Sequence, residues 1–105
     1  MTTTKASLCF TEIHRKGEFM IIDCKNIANR KELHAIIAEG LKFPDYYGNN
    51  LDALFDCLLE IKTEVTIELI EFECLKQKLS IYADKFINTI IEASEKNENI
   101  NLIIN

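Results

Sequence analysis

Four consecutive apolar residues, Phe19-Met20-Ile21-Ile22, decide how the fold of this 105-residue chain begins. A continuous apolar run, with Gly17 before it and a polar stretch from Asp23 to Asn29 after it, is typical of a strand buried on both faces. Two later runs, Val65 to Ile70 and Ile100 to Ile104, have a similar character. The sequence therefore predicts three core strands.

The segments between these runs carry helical signals. Asn29 and Glu32 have the spacing of a capping box, and the apolar residues after them predict a helix over about 30 to 41, ended by Gly40 and Pro44. Apolar periodicity predicts three more helices, over Leu51 to Ile61 with Asn50 as its cap, over Phe72 to Leu79, and over about 81 to 96. Strands that alternate with helical crossovers favour a parallel α/β sheet.

The first 18 residues are predicted to be an N-terminal extension ahead of a single domain over residues 19 to 105. Ser7 to His14 could add an extra N-terminal edge strand, as a hairpin with the Phe19 run. Its apolar residues alternate poorly, but Gly17 supplies a turn.

Acidic residues are concentrated in the second part of the chain. Residues 1 to 44 hold 7 Lys and Arg against 5 Asp and Glu, whereas residues 45 to 105 hold 5 against 12. No basic residue lies between Lys42 and Lys62. Such a surface repels phosphates and attracts cations, so direct DNA or RNA binding is disfavoured and a basic partner is favoured.

The residue types that usually carry chemistry are scattered. The four cysteines lack CxxC spacing and lie in apolar segments, so we expect reduced and mostly buried thiols at Cys9, Cys24, Cys57 and Cys74. The two histidines, His14 and His34, are isolated in the sequence and are expected to be half-exposed. We expect no metal, no cofactor and no enzyme activity. The apolar runs are too short to cross a bilayer, and the sequence shows no signal segment. We therefore expect a cytoplasmic protein without a membrane partner.

A stripe of carboxylates marks the second predicted helix. Asp52, Asp56 and Glu60 recur every fourth residue, so all three share one helix face, and no lysine offsets their repulsion. The loop Tyr46-Tyr47-Gly48-Asn49 leads directly into this helix. Two plainer interpretations stay open, since the stripe can be a solvated helix face and the tyrosines can be core or loop-packing residues. An exposed stripe also lacks the cleft that acid–base catalysis needs.

At these residues the chain closely resembles the barstar family of intracellular ribonuclease inhibitors. The likeness is strongest over Phe43-Pro44-Asp45-Tyr46-Tyr47-Gly48-Asn49-Asn50-Leu51-Asp52-Ala53-Leu54-Phe55-Asp56-Cys57-Leu58, and weaker from Phe19 to the last residue. The resemblance implies a two-layer α/β fold with a three-stranded parallel sheet flanked by helices. It also implies a monomer that forms a 1:1 complex with a small basic ribonuclease such as barnase, plugging the RNA cleft with the tyrosine loop and acidic helix.

The resemblance assigns a role to each residue of this predicted surface. Asp56 would enter the phosphate-binding pocket, Asp52 would pair with an arginine, and Tyr46 would pack on the catalytic histidine of the nuclease. The complete set of implied partner-binding residues is Tyr46, Tyr47, Gly48, Asn50, Leu51, Asp52, Phe55, Asp56 and Glu92.

Four positions depart from the family pattern. Phe55 stands where the family has a tryptophan, Ile61 replaces a second aromatic residue, Lys96 replaces an acid, and Glu64 replaces a proline that is cis in barstar itself. These changes leave the target nuclease open. The alternative function is an acidic interaction module that binds a basic partner other than a nuclease.

Overall fold

The computed structural model describes residues 18–105, so the predicted hairpin strand at Ser7 to His14 lies outside the described residues. The predicted order of three strands and four helices is confirmed. The strands are β1 (Glu18–Asp23), β2 (Val65–Ile70) and β3 (Ile100–Ile104), and the helices are α1 (Arg30–Leu41), α2 (Leu51–Leu59), α3 (Phe72–Leu79) and α4 (Ile81–Lys96), with a short 3-10 turn at Cys24–Asn26.

The three strands form one parallel sheet in the order β1-β2-β3, with Met20 opposite Ile67 and Ile67 opposite Leu102. The connection from β1 to β2 contains α1 and α2, and the connection from β2 to β3 contains α3 and α4. Both connections lead to the next strand in the same direction across the sheet. Because such connections are right-handed, both pairs of helices pack on the same face of the sheet. The result is the two-layer α/β arrangement that the resemblance implied.

Strand β1 is not buried on both faces, and this expectation was wrong. Phe19 and Ile21 are 54% and 57% exposed, whereas Ile22 on the opposite face is buried. The strand lies at the edge of the sheet, and the two-layer arrangement places all the helices on the other side. A continuous apolar run does not distinguish an edge strand of such a sheet from a central one.

Helix α1 begins with the predicted capping residues. Asn29 Oδ1 accepts a hydrogen bond from the Glu32 amide at 2.9 Å, and Glu32 Oε1 accepts one from the Ala28 amide at 2.8 Å. Gly40 was predicted to help end the helix, but it lies within the last turn. A Cβ atom there would overlap the end of the Met20 side chain, so the glycine leaves room for that side chain against α1.

Helix α2 ends at Leu59, two residues before the predicted end, and packs mainly against α4. Leu54 and Leu58 are fully buried. Just after α4, the Asn97 side chain donates hydrogen bonds to the carbonyl oxygens of Leu58 and Ile61, at 2.9 and 3.0 Å. These bonds reach carbonyl groups at and just after the end of α2, and they fix α2 against α4.

Three of the four cysteines fall within residues 18–105, and all three are free thiols, but the expectation that they are mostly buried holds only for Cys24, since Cys57 and Cys74 are half-buried. Cys24 is buried, which raises its pKa to about 11, and burial also raises the pKa of Cys57. A thiol with a raised pKa is a poor nucleophile. Over the same residues, His, Cys, Asp and Glu form no metal-binding group of three or more. No helix in this part of the chain is long and apolar enough to cross a membrane.

Candidate functional site

The connection between α1 and α2 is held in place by the Asn50 side chain. Its Oδ1 accepts a hydrogen bond from the Ala53 amide at 2.8 Å, and its Nδ2 donates to the Gly48 carbonyl at 3.2 Å. Asn49 before it takes the left-handed conformation, with φ of 56°, that asparagine tolerates better than most residues. Asn50 thus joins the start of α2 to the tyrosine loop.

The acidic stripe lies on the solvent side of α2. Asp52, Asp56 and Glu60 are all exposed, and Glu60 is the C-terminal cap of the helix. Within residues 18–105 none of the three carboxylates forms an ion pair, unlike Asp84 on α4, which lies 3.9 Å from Lys76. The stripe is therefore a set of unneutralised carboxylates.

Two grooves flank Asp56. The first, the α2–α4 groove, has a volume of 450 Å³, and the second, the loop–α2 groove, has a volume of 250 Å³. The α2–α4 groove is lined by Leu51, Asp52, Phe55, Asp56, Thr89 and Glu92. The loop–α2 groove is lined by Tyr46, Tyr47, Gly48, Ala53, Asp56, Cys57 and Glu60. Because Asp56 lines both, its carboxylate lies near the centre of the surface.

A third groove of 380 Å³ lies beside the start of α2, where Asn50, Leu51 and Asp52 meet Tyr82 and two cations, Arg30 and Lys85. With it, every residue of the predicted partner-binding set lines at least one groove. The α2–α4 groove contains three carboxylates and no cation. The surface is therefore acidic along α2 and basic at one border.

The two tyrosines of the loop occupy different environments. Tyr46 is 83% exposed, whereas Tyr47 is 8% exposed. The Tyr47 ring packs against Phe43, with centroids 4.9 Å apart. The loop-packing interpretation therefore applies to Tyr47, and Tyr46 is the aromatic side chain that is free to meet a partner.

His34 was predicted to be half-exposed, but it is 1% exposed. Its Nδ1 lies 2.6 Å from the Tyr47 hydroxyl oxygen and its Nε2 lies 2.6 Å from the Tyr82 hydroxyl oxygen. Burial, and then the charge of Arg30, lower the pKa of His34 below its usual value. The histidine is therefore a neutral, fully bonded core residue behind the tyrosine loop.

Sequence reasoning missed four residues of this region: Thr89, Arg30, Tyr82 and Lys85. Thr89 could have been predicted from the sequence, because it lies one helical turn before Glu92 on α4 and so shares its helix face. Tyr82 had no local signal, since its partner His34 is 48 residues away in the chain.

An exposed acidic face with one prominent aromatic residue and shallow grooves is suited to binding a basic macromolecule. Its carboxylates can pair with arginine or lysine, and Tyr46 and Phe55 can pack against apolar or ring surfaces. The fold and this surface together define a small α/β protein with an acidic binding face.

Residues 17–105 match the family model described as Barstar (barnase inhibitor), and the chain belongs to the barstar family. It is also similar to a protein of Bacillus subtilis (strain 168) that carries the name "Putative ribonuclease inhibitor YrdF". The two are 42% identical over 78 residues, which cover 73% of this chain and 86% of the relative.

Asn50 yields a stability prediction that does not depend on any partner. Asn50→Ala removes the acceptor for the Ala53 amide, so we expect a loss of about 0.5–2 kcal/mol in the free energy of unfolding. Asn50→Asp keeps an acceptor and should lose much less. Urea denaturation of both variants measures the difference. An Asn50→Ala chain as stable as the unmodified chain would show that the cap does not stabilise α2.

Proposed function

We propose that this chain inhibits a small basic ribonuclease of the barnase type by covering its RNA cleft with the acidic face of α2. The observation that carries the proposal is the position of Asp56, exposed and unpaired between the two grooves. Membership of the barstar family and the name of the similar B. subtilis protein support the same function.

In this proposal the carboxylates of the inhibitor occupy the positions of substrate phosphates. Asp56 enters the pocket where arginines of the nuclease bind a phosphate, and Asp52 pairs with a further arginine at the cleft. Tyr46 packs on the catalytic histidine, for which its exposed ring is free. Bidentate pairing makes arginine a particularly good partner for a carboxylate.

The remaining groups would shape the contact around this centre. Gly48, Asn50 and Leu51 bring the backbone of the loop and helix start close to the nuclease, and Glu92 adds an acid from α4. Tyr47, being buried, supports the loop from behind. No step of this function needs a catalytic residue, so we propose a binding protein and not an enzyme.

Two departures from the family pattern lie near this surface and would adjust the choice of target. Phe55 is half-buried in the α2–α4 groove and offers a smaller ring than tryptophan. Lys96, exposed in the last turn of α4, places a cation where the family has an acid. A nuclease with an acid opposite Lys96 would fit this chain better. The inhibitor would act in the cytoplasm, as a monomer in a 1:1 complex.

The test is a titration of barnase activity on RNA with the full chain. We expect activity to fall linearly and to reach its minimum near one inhibitor per nuclease. Pancreatic ribonuclease, which has a different fold, is the control and should be unaffected. A folded chain that neither inhibits nor binds barnase at micromolar concentration would contradict the proposal, and capture of a basic protein without nuclease activity would favour the interaction-module alternative.

A further inference from the structure

A continuous chain of contacts connects the surface of α1 to the tyrosine loop. The Arg30 guanidinium carbon lies 4.1 Å from the centroid of the Tyr82 ring, a cation–π contact. The Tyr82 hydroxyl lies 2.6 Å from His34 Nε2, and His34 Nδ1 lies 2.6 Å from the Tyr47 hydroxyl. We call Arg30, Tyr82 and His34 the brace. It joins α1, α4 and the loop.

The centre of the brace is a buried polar group. His34 is 1% exposed, and burying an imidazole has a cost that its two hydrogen bonds must offset. Apolar packing tolerates sliding, whereas a hydrogen bond fixes both a distance and a direction. A fully bonded buried network of this kind specifies a single arrangement of the elements that it joins.

The donors and acceptors available to His34 determine the direction of its two hydrogen bonds. Neutral imidazole has one donor and one acceptor nitrogen. The Tyr47 hydroxyl is buried, and His34 is its one polar partner among the described residues, so it donates to Nδ1. His34 then donates from Nε2–H to the Tyr82 hydroxyl, which is half-buried and can pass its own hydrogen to water. His34 is thus neutral, with its proton on Nε2.

We propose that the brace positions Tyr47, and through it the Tyr46–Asn50 segment, for binding a partner. Tyr82 and His34 are positioning residues, since Tyr47 lies between them and the exposed Tyr46. The outer end of the brace reaches the same surface, because Arg30 and Tyr82 line the third groove with Asn50 and Asp52. The link to a nuclease rests on the proposed function, whereas the link to loop geometry does not.

Acidification should weaken the brace. The groups that face His34 are Arg30 from α1, Tyr82 from α4 and Tyr47 from the loop, and no carboxylate among them would stabilise an imidazolium. A proton on Nδ1 would turn the Tyr47 hydrogen away from its partner. Since the pKa of His34 is lower in the folded chain than in the unfolded one, the unfolded chain binds more protons and folding weakens as the pH falls below about 6.5.

Tyr82→Phe tests the brace by removing one oxygen atom while keeping the ring under Arg30. We expect amide hydrogen exchange in Tyr46–Asn50 to accelerate about tenfold, with α3 (Phe72–Leu79) little changed. Ser94→Ala, which removes another hydroxyl from α4, is the matched control and should leave the loop unchanged. In the unmodified chain, nitrogen-15 spectra of His34 at pH 7.5 should show the neutral Nε2–H form. The protection factors of the loop amides, which correct each exchange rate for its intrinsic pH dependence, should fall between pH 7.5 and 5.5.

The outcomes separate the two proposals. An Nδ1–H tautomer, or loop exchange in Tyr82→Phe that rises no more than exchange in α3, would overturn the brace whether or not a nuclease binds. If barnase binds, Tyr82→Phe should also speed its dissociation about three- to tenfold. If barnase does not bind but loop exchange responds as expected, the positioning role of the brace is supported and the proposed function is wrong.

Discussion

The Asp56→Ala variant should lose most of its affinity for barnase, with a weakening of at least about 100-fold and of the order of 3 to 5 kcal/mol or more. Close charge pairs in the complex of barnase with barstar, a relative of this chain, have coupling energies of about this size. The physical reason is that truncation of a central acid leaves the arginines of the nuclease desolvated and unpaired. Titration calorimetry measures the loss.

The other residues of the surface should rank below Asp56. Asp52→Ala and Tyr46→Ala should weaken binding less, and Glu60→Ala should change it by roughly 0 to 1 kcal/mol, because a border acid leaves its partner in water. Glu73→Ala, an exposed acid on α3, is the control for loss of charge alone. The phosphate-mimic role would be wrong if Glu60→Ala weakened binding as much as Asp56→Ala.

Thermal melts of the same variants test the fold separately. Asp56 is exposed and makes no ion pair within residues 18–105, and its removal relieves repulsion along α2. We therefore expect the Asp56→Ala chain to melt at the same temperature as the unmodified chain or slightly above it. Unfolding of this variant would assign Asp56 to stability and not to binding.

Local signals in the sequence were sufficient to predict the elements of this fold. Asn29 and Asn50 predicted the starts of α1 and α2 because an N-cap bonds to amides only a few residues away. The acidic stripe was equally local, since side chains four residues apart share a helix face. Each of these features depends on neighbours in the chain and is therefore readable from one sequence.

Features that depend on distant residues were not readable in the same way. The burial of His34 requires Tyr47 and Tyr82, which reach it from a loop and from α4. The exposure of Phe19 follows from the edge position of β1, which is a property of the whole sheet. The grooves at Asp56 likewise need α4 beside α2, and it was the family resemblance that pointed to Glu92, where helical spacing alone did not.

Association with barnase should be fast at low salt and should slow as salt is added. Asp52, Asp56, Glu60 and Glu92 are unneutralised by ion pairs in the described part of the chain, so their field extends into solvent and attracts a cationic cleft. Steering of this kind raises association rates by about 10- to 1,000-fold. From about 20 to 500 mM salt the screening length shrinks roughly fivefold, and we expect the association rate to fall at least about tenfold.

Stopped-flow measurement of both rate constants separates steering from contact. The dissociation rate should change much less with salt than the association rate, because pairs inside the formed complex are shielded from ions. A chain with both Asp52→Asn and Asp56→Asn keeps the shape of the surface and loses two charges, so its association rate should depend less steeply on salt. An association rate that stays flat from 20 to 500 mM, a range over which screening grows about fivefold, would show that the acidic face does not guide the encounter.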